Sequence, residues 1–143
     1  MDLGLLRQVA VGILRVSASH TLLRVVRTAS CGALAILEYL AHVSELPKNM
    51  ILLFIEIPDT LQIEIGNWTP GDPLAFRQIG DEWIRSASTA VLEVPSVLAP
   101  GQKNYLINPK HRLFGAIKIV SKTPFAFDSR LLSSVPPPVV ATP

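Results

Sequence analysis

Apolar residues recur at two different spacings along this chain, and the change of spacing marks its elements. Ala33–Val43 (ALAILEYLAHV) has the helical period, with Leu34, Leu37, Tyr39, Leu40 and Val43 forming one broad apolar side. A helix is predicted there. Ser30 and Gly32 offer its start, and Pro47 limits its extension. Met50–Ile57 is a β-branched apolar run that stops at Pro58, which predicts a largely buried strand. Leu61–Ile65 alternates and predicts a half-buried strand. The stretch NWTPGDP that follows reads as a loop.

Further on, Ile79–Ala87 predicts a short helix with Ile79, Trp83 and Ser86 on one side. TAVLEVPS predicts a strand ending at Pro95. APGQKNYLINPKH reads as turn-rich, punctuated by Pro100-Gly101 and Asn108-Pro109. Phe114–Val120 predicts another strand, and FAFDSRLL a last short one. SVPPPVVATP predicts an extended or disordered tail. The expected class is α+β, with mixed sheets around a central helix and one shorter helix.

The 143 residues suit one domain, organised as a basic segment over 1–32, a body over 33–132 and a proline-rich tail over 133–143. Charge sets the first segment apart. Residues 1–37 hold four arginines against Asp2 alone, a balance of +3, whereas the remainder stands at −1. Three readings of this acid-poor start are open: an organellar transit peptide, a native amphipathic helix plus strand, or a displaced reading frame. The balanced body gives no footprint for direct nucleic-acid binding. No run of 18 apolar residues predicts a membrane span. Cys31 is alone, which excludes an internal disulfide and leans toward a reducing, cytoplasmic setting.

Candidate chemistry is sparse. GDP at 71–73 and GQK at 101–103 lack phosphate-loop spacing, and no GxSxG elbow is present. His20, His42 and His111 are scattered and join no metal-binding pattern, so no metal is expected. Glu38 interrupts the apolar helix; a charge there either faces solvent or is held at a cleft. Ser86 and Ser88 are candidate donors to phosphate or hydroxyl oxygens, and Asn104 and Asn108 candidate partners for an amide or sugar edge. Tyr105 and Trp83 fit either a core or a ring-binding wall. His111 fits a turn better than a base, and Arg85 fits either solvent or a phosphate.

ALAILEYLAH, then IEIPD, then IGDEWIRSASTAVLEVPSVLAPGQKNYLINPKH, then FDSRLL closely resemble the RES domain family over about residues 33 to 132. The resemblance implies a fold similar to ADP-ribosyltransferases. It implies a toxin of a bacterial toxin–antitoxin pair that takes NAD as substrate, with no prosthetic group. The implied reaction is cleavage of the nicotinamide–ribose bond, by phosphorolysis with inorganic phosphate as co-substrate, or with transfer to a protein in some members. The implied partner is a helix-turn-helix antitoxin protein. Carried over residue by residue, the family glutamate is Glu38 and the serine is Ser86, with Ser88 beside it. Asn104, then Asn108 and Tyr105, fall in the stretch that approaches the substrate.

The N-terminal arginine motif of the family, GGRWN-like, and the strand resembling VVYxS are absent as motifs. Only VRTASCG stands at the strand-to-helix junction, and the family arginine is carried onto no residue. This departure implies an alternative: a truncated, inactive relative that only binds its antitoxin.

Overall fold

A computed structural model describes residues 8–15, 25–67 and 71–131. The readings made for residues 1–7, 16–24 and the proline-rich tail lie outside the described residues. In chain order the elements are β1 (Gln8–Arg15), β2 (Val26–Ala29), α1 (Gly32–Leu40), β3 (Met50–Ile57), β4 (Ile63–Ile65), α2 (Pro73–Ser86), β5 (Val91–Pro95), β6 (Lys103–Ile107) and β7 (Lys118–Phe125). Short 3-10 turns occupy Phe114–Ala116 and Ser129–Leu131.

The class is mixed α+β, but the strands form one seven-stranded sheet rather than several. Its order is β4-β5-β6-β2-β1-β3-β7. Every neighbouring pair is antiparallel except β4 with β5. β1 lies between β2 and β3, so part of the basic N-terminal segment is built into the sheet.

Strand alternation separates two cores. On one face, Val11 and Ala29 pack with Leu34 and Ala35 of α1. Leu92, Val94 and Leu106 pack with Trp83 of α2 on the same face, because Ala29 pairs with Asn104 and Leu92 with Leu106. On the other face, Ala10, Ile55, Ile57, Val91, Tyr105 and Ile107 form a core closed by Leu61, Ala116 and Ile117 of connecting segments. Both helices therefore stand on one side of the sheet.

Several expectations change. The strand read over Phe114–Val120 is a 3-10 turn at Phe114–Ala116 followed by β7, which begins at Lys118 and runs on to Phe125. α2 starts at Pro73, well before Ile79. Asp72 caps it, its Oδ1 accepting from the N–H of Leu74 at 3.1 Å and of Ala75 at 3.0 Å, with Pro73 in the first turn. Lys103–Ile107, read as turns, is the interior strand β6. FAFDSRLL is not a strand; Phe125 closes β7, and Asp128 Oδ1 accepts from the Arg130 N–H at 2.9 Å to start a 3-10 turn. Leu37, expected on the apolar side of α1, is exposed. Trp83 is core: it is 1% exposed and its Nε1 donates to Thr89 Oγ1 at 3.0 Å.

The Pro100-Gly101 pair does turn the chain. Gln102 N–H reaches Ala99 O at 3.0 Å, and Gly101 has φ +82. Proline then glycine at the two central positions is the type II pattern, whose second residue needs a positive φ. This turn joins β5 to β6 and holds Ser96 against the end of α1.

Candidate active site

Between α1 and α2 the sheet face is uncovered, leaving a cavity of about 590 Å³. That is within the range of small-molecule sites. Its floor is made by Arg27 and Ala29 of β2 and by Asn104 and Leu106 of β6. Ala35, Glu38 and Tyr39 line it from α1, at the three- and four-residue spacing that keeps side chains on one helix side. His42 follows just past the helix end, and Phe76 lines the cavity from α2. The Tyr39 ring stacks on Phe127 at 5.8 Å, and Phe127 meets Phe125 edge-on at 4.8 Å, which ties the end of β7 to α1.

Glu38 is the centre of the polar contacts. Its Oε1 accepts from Ser96 Oγ at 2.6 Å and from Asn104 Nδ2 at 2.7 Å. Hydrogen bonds to an ionised carboxylate are the short, strong kind. Oε2 has no partner among the described residues and is not a buried atom. One oxygen is thus anchored while the other is left for a ligand.

Both anchors are themselves held. Ser96 is buried, and its Oγ accepts from the N–H of Leu98 at 3.2 Å and of Ala99 at 3.1 Å. Its own N–H donates to Gln102 O at 2.9 Å. The hydroxyl proton has no local acceptor in this turn and is directed to Glu38. Asn104 sits on β6 opposite Ala29 of β2 and Val94 of β5. With Nδ2 given to Glu38, its Oδ1 is buried and lacks a partner. A buried acceptor left without a donor is unfavourable, so this oxygen is matched to a ligand N–H or O–H. Ser30 Oγ, at the junction of β2 and α1, is likewise buried without a partner.

The structure therefore brings Glu38 and Asn104 together and adds Ser96 to them. It places the other sequence-derived candidates elsewhere. Ser86 is exposed at the end of α2, its hydroxyl donating to Trp83 O at 3.2 Å and lying 3.4 Å from Ser88 Oγ. Ser88 donates to Glu64. Asn108 is a turn residue whose Oδ1 accepts from the Lys110 N–H at 3.0 Å. His111 is one too, its Nδ1 accepting from the Leu113 N–H at 3.1 Å. Arg85 pairs with Glu82 on the surface.

Tyr105 points to the opposite face of the sheet from Asn104 and is 3% exposed. Burial pushes its hydroxyl up to about 12, helped by the negative charge of Glu93 and a hydrogen bond with it. Lys103 Nζ pairs with the same carboxylate at 2.6 Å.

Ser96, which holds Glu38 from behind the lining, and the cavity residue Arg27 both escape sequence reasoning. Ser96 had a signal: a serine directly after the strand-ending Pro95, followed by a turn. Arg27 had none, because β2 is only four residues long and shows no usable alternation.

A carboxylate fixed over an open sheet face between two helices defines an α+β protein with a small-molecule-sized cleft. Sequence comparison then makes the assignment specific. The RES domain matches residues 19–128, and this chain belongs to the RES domain family. The match takes in β2 ahead of α1, so a strand occupies the junction although the family's strand motif does not. The chain is 35% identical over 120 residues to the Prs ADP-ribosylating toxin of Sphingobium sp., covering 76% of this chain and 74% of that one. It is 38% identical over 105 residues to Toxin Res of Pseudomonas putida, covering 68% and 72%. It is 36% identical over 113 residues to Toxin Res of Yersinia enterocolitica, covering 72% and 74%. Among the described residues no helix is long and apolar enough to cross a membrane, and no group of His, Cys, Asp and Glu could hold a metal ion.

Proposed function

We propose that this chain is a toxin that degrades NAD by breaking the nicotinamide–ribose bond. The observation that carries the reading is Glu38: a carboxylate with one oxygen anchored by Ser96 and Asn104 and the other open to an apolar cleft. Nicotinamide leaves with the bonding electron pair, and positive charge develops on the ribose. A fixed carboxylate accepts from ribose hydroxyls and stabilises that charge without reorganising. Asn104 Oδ1 accepts the carboxamide N–H of the nicotinamide. Ser96 holds the carboxylate rather than attacking, since both lone pairs of its Oγ are taken by the N–H groups of Leu98 and Ala99.

An oxygen of inorganic phosphate then bonds to the ribose carbon, giving ADP-ribose 1″-phosphate. Phosphorolysis is preferred to hydrolysis or protein transfer on the resemblance of the chain as a whole, which also brings an ADP-ribosyltransferase-like fold. A free NAD-consuming enzyme harms its own cell. The reading therefore includes cytoplasmic action and an inhibitory partner protein with a helix-turn-helix domain.

The test is NAD loss with purified protein, followed by chromatography with and without phosphate. Phosphate-dependent release of nicotinamide is expected. A folded protein that leaves NAD intact under both conditions overturns the reading.

A further inference from the structure

We infer that Arg27 is the anion-binding residue of the cleft and takes the diphosphate of the nucleotide, an inference that rests on the NAD reading above. Arg27 is the one arginine or lysine among the described residues that line the cavity. It lies two residues before Ala29 on β2, which puts both side chains on the face that carries α1 and α2. Its side chain is exposed, and no hydrogen bond or ion pair engages it among the described residues. Glu38, the carboxylate on the same cavity, is bonded to Ser96 and Asn104 instead.

An uncommitted guanidinium on the wall of an otherwise apolar cleft is matched to a planar, multi-oxygen anion. The other candidate anion site is already filled: at the start of α2, Asp72 accepts from the N–H of Leu74 and Ala75. Two neighbouring regions of the cleft wall thus differ in chemistry, since Arg27 pairs with Leu106 one alternate position along from the Ala29–Asn104 pair. Glu38 Oε2 and Asn104 Oδ1 call for donors, and Arg27 calls for negative charge. A ligand that satisfies both carries hydroxyl or amide donors together with phosphate.

The test uses ADP-ribose as the probe, titrated calorimetrically into the full chain, Arg27→Gln and Arg27→Lys, with circular dichroism on each. Arg27→Gln is expected to weaken binding at least about tenfold, the scale of a lost charge-assisted contact. Arg27→Lys is expected to fall between, because it keeps charge but not the two-pronged geometry. Added salt should weaken the wild type more than Arg27→Gln. Should Arg27→Gln lose its fold, Arg27→Lys carries the test alone. Equal affinity of wild type and a folded variant overturns the inference, as does a wild type that binds no ADP-ribose. NAD turnover is measured in parallel. Turnover that Arg27→Gln leaves intact sinks the role of Arg27 and spares the reaction. Absent turnover with Arg27-dependent ADP-ribose binding does the reverse.

Discussion

The hydroxyl of Ser96 stands 2.6 Å from Glu38 Oε1 and donates to it, while accepting from the two backbone N–H groups of its own turn. A single oxygen thereby fixes both the shape of the β5–β6 connection and the position of the carboxylate on α1.

Removing the charge at this centre separates chemistry from folding. Glu38→Gln is nearly isosteric and keeps an oxygen for Ser96 and Asn104. NAD consumption should fall at least about a hundredfold, the scale of a lost preorganised charge. The circular dichroism spectrum should not change. Residual activity near wild type would remove Glu38 from the reaction.

Serine substitutions distinguish the three candidates. Ser96→Ala strips a half-buried carboxylate oxygen and two part-buried N–H groups of a partner, and should lower stability by about 2 kcal/mol. NAD consumption should fall with it. Ser86→Ala and Ser88→Ala sit on the surface and should change stability by no more than about 0.5 kcal/mol. Urea unfolding and NAD assays on all three decide the matter; a silent Ser96→Ala would reopen it.

Asn104→Asp sets a second carboxylate against Glu38. Two like charges this close cannot both ionise freely, so one folded-state pKa rises above its unfolded value. The variant is then favoured at low pH and loses stability as pH rises through that pKa. Relative to wild type, its deficit should be small at pH 4 and full at pH 7. Unfolding midpoints at the two pH values read it directly.

The buried Tyr105 hydroxyl predicts an alkaline effect. Its pKa is raised from 10.0 to about 12 in the folded protein. The stability linked to it is full below pH 10 and is lost as pH rises through about 12. The stability difference between wild type and Tyr105→Phe should therefore shrink between pH 8 and pH 11 in urea titrations. A difference that stays constant would mean that the hydroxyl titrates normally.

Legibility in the sequence followed the strength of the local pattern. Met50–Ile57 is strand over the whole span read from its apolar run, because β-branched residues bounded by Pro58 leave little alternative. α1 was legible from its period, though the side facing solvent was misjudged: Leu37 is exposed because Ala35, not Leu37, meets the sheet. β6 was hidden because turn residues flank it closely, although Asn104 and Leu106 do alternate with Tyr105 and Ile107. The serine at Glu38 was out of reach by spacing alone. Ser86, Ser88 and Ser96 all lie near the matched motif, and only the turn ending at Gln102 brings Ser96 inward.

The order of strands in the sheet also sets an order in time. Glu38 leaves the ribosome early, but its partners follow 58 and 66 residues later. A partly made chain carries the carboxylate with nothing to hold it. The cleft comes into being only once the β5–β6 hairpin has been synthesised and has paired with β2. Up to that point a nascent chain has no assembled site, so any chemistry proposed for the cleft belongs to the nearly finished chain.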